Sequence, residues 1–315
     1  MAGHNEQTWP DLPYAAWRDT CSALQLYCQI VGKYRLARTP WVNHSWHATL
    51  YPVARGFSTG LVPDRPGGIE LVLDLIDHQL IGSATDGLTA RFPLGPMSVA
   101  AFHANVLDLI EKLGGTPEFD GRPNEIPNAI AFSEDRVERP YDADAVNRFF
   151  RACITVATVL QKFRTGFIGK VSPVHLFWGS FDLAVTRFSG RRAPMHPGGI
   201  PALPDEVTRE AYSHEVSSAG FWPGGGGTDF PAFYSYAYPS PAGFADAKVS
   251  PRGAYYDSSL GEFLLPYEHV RSAADPERAL LEFLESTYRA AAALGRWDME
   301  SLECDIGQPR RPRPL

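Results

Sequence analysis

The chain has 315 residues, enough for two modest domains or one large one around an ample buried core. Hydrophobic residues make up 44% and charged residues 21%, the balance of a globular protein. A net charge of -7 with few basic runs argues against a nucleic-acid backbone as partner.

In chain order, an apolar segment with Cys21 and Cys28 seven apart predicts a helix with both thiols on one face. Pro40–His47 reads as a strand with His44 and Trp46 on one side and His47 on the other. Segments 69–75, 78–84 and 88–94 read as strands, followed by a helix over 98–113 that stops at Gly114. Residues 116–140 carry prolines and little periodicity, the pattern of a linker crossing the surface. A helix over 145–163, capped by Asp142 or Asp144, precedes a strand over 174–185. An aromatic, Gly/Pro-rich insertion then spans 191–244 and contains a short helix over 206–216. Strands at 254–257 and 261–265 flank a turn. A last helix over 276–294 has Asp275 as N-cap, Pro276 at N1 and Gly295 after its end.

Residues 29–58 and 166–190 share order and punctuation: Gly-Lys, then Pro, then a His/Trp-bearing segment, then an Arg near a turn. The expected fold is α+β with two related halves, each an antiparallel sheet with helices packed on one face. The halves are 1–115 and 141–298, joined by the 116–140 linker, and a tail over 299–315 reads as mostly disordered.

The apolar stretches are broken well before the ~20 residues of a bilayer span. The N-terminal segment has no apolar core of signal-peptide length. The four cysteines are too scattered for a disulfide framework or a CxxC knuckle. The expected location is a reducing cytoplasm without membrane contact.

The strings FIGKVSPVHLFWGSFDLAVTRFSGRRAP and EAYSHEVSSAGFWPGGG, with PWVNHSWH near the start, resemble a bacterial family of this length known only as a domain of unknown function. The likeness runs from about Trp9 to Asp298 and implies a stand-alone bacterial protein. It lends no catalytic residues.

Asp182, inside an apolar strand, needs a partner because an unpaired buried carboxylate is costly; Arg187, Arg191 or Arg192 could supply it, as a structural ion pair or a functional carboxylate. Glu210 and His214, four apart on the expected short helix, suit an acid/base couple or a solvated face. They do not form HExxH, the run Gly224–Gly227 lacks the Lys-Ser/Thr of a P-loop, and no metal or cofactor is expected. The candidate site lies beneath the insertion. His175, His214 and Glu210 move protons, and Arg187 and Arg191 hold an anionic group. Trp178, Trp222, Tyr212 and His44 form the walls. Two readings follow: an enzyme using His-based acid/base chemistry on a small polar or anionic substrate, or a non-catalytic protein holding a small ligand or peptide. Residue types alone leave the oligomeric state open.

Overall fold

The computed structural model describes residues 8–65 and 67–313; the first seven residues of the segment read for a leader, and the last two of the tail, lie outside them. The fold is α+β. Helix α1 (Tyr14–Leu36) buries Cys21, Leu24, Cys28 and Val31 along one face. After it come a five-stranded antiparallel meander and helix α2 (Val99–Lys112). The meander is β1 (Tyr51–Val53), β2 (Gly56–Ser58), β3 (Ile69–Asp74), β4 (Gln79–Ala84) and β5 (Thr89–Pro93). The Ser98 side chain caps α2 by accepting the Ala101 N–H, and left-handed Gly114 follows its C-cap. A two-residue ladder, β6 (Met97–Ser98) with β7 (Glu138–Arg139), brings the chain to α3 (Ala143–Thr165), which Asp142 caps.

The second sheet has six antiparallel strands: β8 (His175–Phe177), β9 (Asp182–Arg192), β10 (His214–Trp222), β11 (Ala232–Tyr238), β12 (Tyr255–Asp257) and β13 (Glu262–Pro266). Their spatial order is β12-β13-β11-β10-β9-β8. Helix α4 (Asp205–Ala211) lies between β9 and β10; α5 (Tyr267–Arg271), α6 (Pro276–Leu294) and α7 (Met299–Leu302) follow β13. The edges β1 and β8 meet where Leu50 and Leu176 exchange both backbone hydrogen bonds, at 3.1 and 2.8 Å.

Several expectations change. The strand over 174–185 is a hairpin: residues 178–181 turn, with Phe181 at φ 60°, and Phe177 pairs with Asp182. The insertion over 191–244 contains β10 and β11, two inner strands of the sheet; the local Gly/Pro richness belongs to the loops around them. The short helix ends at Ala211, so Glu210 and His214 do not share a helical face. His44 lies in a one-turn 3₁₀ helix (Asn43–Ser45) with φ 62°, not in a strand. Asp275 caps α6 with Pro276 next to it, but Gly295 keeps a helical φ of -73°, and Arg296 takes the left-handed position at 55°.

Residues 116–140 are irregular apart from β7, yet they do more than cross the surface: Phe132 is fully buried, and buried Gln29 of α1 exchanges two hydrogen bonds with the Asn124 backbone. The start of the tail is ordered, because Ile168 N–H bonds to Leu302 and Phe167 bridges Glu303.

Candidate functional site

The alternation of β9 and β10 sorts their side chains onto two faces. On one face, Leu183, Val185, Arg187, Ala219 and Phe221 are buried. Arg187 shows what covers that face: it donates to the Phe163 carbonyl of α3 and lies over the rings of Phe163 and Tyr288, and it pairs with Glu285 of α6 at 3.6 Å. On the other face, Thr186 stands opposite Ser218, and Ser218 opposite Tyr236. This second face floors a cavity of about 400 Å³. Its cover comes from three segments: the 3₁₀ turn at His44, the irregular stretch around Glu125, and helix α4 with its approach from Ile200.

Close packing sets the cavity's shape. The Trp178 ring lies against Gly32 of α1, where a Cβ would come within 2.2 Å of it, and its indole N–H donates to the Ala48 carbonyl at 2.6 Å. The Glu125 carboxyl packs on Gly179, leaving 2.0 Å for a Cβ. Tyr234 lies over Gly220 with its hydroxyl 2.6 Å from an ideal Cβ there, and from that position donates to Asp182. At Gly32 and Gly220 only glycine leaves the room needed, whereas at Gly179 the flexible Glu125 carboxyl would have to swing away.

The partners of Asp182 are therefore the hydroxyls of Tyr234 and Ser180, not an arginine. Five residues separate Asp182 from Arg187, and odd separations on a strand point to opposite faces. With two hydroxyls and its own backbone amide but no cation as donors, burial still raises the Asp182 carboxyl above its ordinary range. Glu125 is pushed up to about 7 by burial and by the neighbouring Asp182 charge. Glu262 of β13 is pushed up to about 8 for the same two reasons, with Asp257 adding to them. Lys33 of α1 lines the cavity too, and its ammonium is 2.6 Å from Asp120.

Among the expected residues, His44, Trp178, Tyr212 and Trp222 line this cavity together. The His44 Nδ1 donates to the Ala211 carbonyl at 2.9 Å, which leaves Nε2 facing the Thr186 hydroxyl at 3.5 Å. Thr186 is in turn 2.8 Å from Ser218. Burial pulls His44 down to about 4, so the ring is neutral near pH 7. The Tyr212 hydroxyl is 2.7 Å from that of Tyr236.

His175, His214, Glu210, Arg187 and Arg191 stand outside the lining. Fully buried His175 donates Nδ1 to the Pro173 carbonyl at 2.8 Å, and burial pulls it down to about 3. His214 opens β10 and contacts the Ser213 hydroxyl at 3.1 Å. Glu210 accepts from the Asn43 side chain at 2.9 Å and the His44 N–H at 3.3 Å, so it fixes the turn that presents His44. Arg191 pairs with Glu215 at 2.6 Å and ties the end of β9 to the carbonyls of Gly295 and Arg296.

Sequence reasoning missed Glu125, Glu262, Ser218, Tyr234 and Tyr236 as site residues. A signal existed for two of them, since Tyr234, Tyr236 and Tyr238 recur every second residue along β11; Ser218, next to Ser217 and with Val216 and Gly220 two residues away, carried no such pattern. Glu125, in an irregular segment, carried none.

The chain belongs to a family of unknown function, DUF5996, whose sequence pattern matches residues 9–304. No curated protein and no solved structure shows a significant match to the chain. Among the described residues, no helix is long and apolar enough to cross a membrane.

Proposed function

We propose that the protein is an enzyme that performs acid–base chemistry on a small polar molecule held in the 400 Å³ cavity, with carboxyl groups rather than imidazoles moving the proton. The observation that carries this reading is the placement of Glu125 and Glu262 in one cavity with Asp182, at about 7 and 8. A proton carrier works best when its pKa lies near the working pH, since both protonation states are then populated. His44 and His175, pulled down to about 4 and 3, do not meet that condition. His44 acts in this reading as a neutral hydrogen-bonding group.

The same reading takes the protein as a cytoplasmic one, in keeping with four free cysteines, three of them buried. It also takes the two sheets as copies of one duplicated unit. Support comes from their shared order, β1-β2-β3-β4-β5 beside β8-β9-β10-β11-β13, each followed by a helix; β12 is an added edge strand.

The test is untargeted. Purified protein is incubated with a bacterial small-molecule extract at pH 7 and the mixture is followed by mass spectrometry. Wild type is expected to consume at least one component, and Glu125→Gln or Glu262→Gln to slow that by about 10²-fold or more. Retention of a component without consumption would make the protein a binder. Consumption untouched by either substitution would remove the carboxyls from the chemistry.

A further inference from the structure

Building on the reading of the cavity as a small-molecule site, we infer that its ligand is an organic amine bound as its ammonium ion. The ionisable groups of the lining are unbalanced. Asp120, Glu125, Asp182 and Glu262 face it against one cationic side chain, Lys33, which Asp120 already pairs at 2.6 Å. No arginine lines the cavity among the described residues, and His44 is neutral near pH 7. Three carboxyls therefore share an enclosed space with no cation of the protein's own. An anionic ligand would have to be desolvated beside them, whereas an ammonium would relieve their mutual repulsion.

Two further observations point the same way. The lining contains two buried polar atoms without partners, the Thr208 hydroxyl of α4 and the Glu262 Oε2; Thr208 itself is 2% exposed. Buried polar atoms are ordinarily hydrogen-bonded, so these are places for ligand groups, and an ammonium has three donors to offer. Trp41, Phe177, Trp178 and Trp222, with Tyr212 and Tyr236, supply rings to the lining beside aliphatic side chains such as Leu36, Leu203 and Val207. Ring faces attract cations, and Lys33 uses one already, its ammonium lying 5.9 Å from the Trp178 centroid. A volume of about 400 Å³ falls in the range of pockets that enclose a small organic molecule.

The inference also has a proton consequence. At neutral pH the raised carboxyls hold part of their protons, and a bound ammonium makes the ionised form favourable, so amine binding expels protons. A neutral polyol accepting hydrogen bonds from the same groups expels none.

Titration calorimetry at pH 7, in two buffers of different ionisation enthalpy, tests this with four probes. 1,4-Diaminobutane and 2-phenylethylamine are compared with their hydroxyl isosteres 1,4-butanediol and 2-phenylethanol. At least one amine is expected to bind about tenfold or more tighter than its isostere, with proton release to the buffer. Glu262→Gln should weaken that amine by a similar factor and cut the proton release. Far-UV circular dichroism and unfolding curves show whether the variant is folded, and Asp182→Asn supplies a second variant should it not be. Equal binding of amine and alcohol, binding without proton release, or no binding of either amine by folded wild type would overturn the inference. The acid–base reading fails separately, on turnover that ignores Glu125 and Glu262. Turnover of a neutral or anionic substrate that does depend on them would sink the amine while sparing the chemistry.

Discussion

Strand β3 of the first sheet buries Ile69, Leu71 and Leu73 and leaves Glu70 and Val72 half-exposed, and β4 alternates in the same way. Strand β9 of the second sheet is buried at seven consecutive positions, and β10 at six. An antiparallel sheet packed on one side reads as alternation; once its other side is covered, both sets of side chains leave water. The carboxylates follow suit. At the first sheet burial alone would raise Asp74, but the Arg55 side chain and the amides of Asp77 and Ile76 outweigh it and hold the carboxyl below its ordinary range. At the cavity face of the second sheet Asp182 has only the Ser180 and Tyr234 hydroxyls and its own backbone amide, Glu125 and Glu262 have no cationic partner, and all three are raised. Covering the second face of a sheet without supplying cations to it creates groups that a ligand can complete.

The sharpest break of this comparison lies between two neighbours on β9. Arg187 is 1% exposed on the helix side and Thr186 is fully buried on the cavity side. Arg187→Met should cost about 2–4 kcal/mol, because the Phe163 carbonyl and Glu285 lose their charged partner. Binding by the molecules that remain folded should be unchanged. Thr186→Val keeps the shape and removes the hydroxyl between His44 and Ser218. It should cost about 1 kcal/mol of stability and alter ligand binding or turnover. Urea unfolding and calorimetry separate the two. An Arg187→Met protein of full stability and altered ligand affinity would reverse the assignment of the faces.

A smaller effect separates two strand glycines. A Cβ at Gly220 would sit 2.3 Å from the Leu183 carbonyl oxygen, which is backbone, and 2.6 Å from the Tyr234 hydroxyl. A Cβ at Gly82 of β4 would meet the side-chain ends of Leu113 and Leu109, at 2.5 and 2.6 Å, and these can rotate away. Gly220→Ala should cost about 1–3 kcal/mol by overpacking and dislodge Tyr234 from Asp182. Gly82→Ala should cost about 1 kcal/mol or less and leave ligand binding alone. Equal losses of binding in the two variants would mean that Tyr234 does not shape the cavity.

How much of this was legible follows from what each signal measures. Periodicity and caps are local, so α2, α3, α6 and the caps Asp142 and Asp275 could be read from sequence. The turn at residues 178–181 was not, because Leu176, Phe177 and Leu183 continue an apolar run across it and the reversal rests on Phe181 taking φ 60°. Four wall residues were legible by residue type, as aromatics or imidazole: His44, Trp178, Tyr212 and Trp222. Asp182 was legible as a carboxylate in an apolar strand, but Glu125 and Glu262 were not, since they come from segments 137 residues apart (262 − 125) that meet only in the tertiary fold. Histidine and arginine were favoured for their chemistry, and burial made His175 and Arg187 structural instead.

The mildest test uses pH, and its sign separates the cavity carboxyls from the buried imidazoles. The Glu262 carboxyl ionises near 4.5 in the unfolded chain and near 8 in the folded one. Between those values the native state retains a proton that the unfolded state has released, so stability falls as pH rises through the window. Glu125 adds a fall of the same sign from 4.5 to about 7. His44 works the other way: its ordinary value of 6.5 is pulled down to about 4, so the unfolded chain takes the proton first and stability falls as pH drops from 6.5 to 4. His175 does the same between 6.5 and about 3. The lowered Asp74 loses its contribution only below its ordinary 3.8. From pH 6.5 to 8 the carboxyl slope therefore stands largely by itself. Wild-type stability should decline there by on the order of 1 kcal/mol, and Glu262→Gln should flatten the decline. Chemical unfolding at pH 6.5, 7.2 and 8.0 reads both slopes. A wild-type curve as flat as that of the variant would show that Glu262 ionises normally in the folded protein, and the cavity would lose one of its two proton carriers.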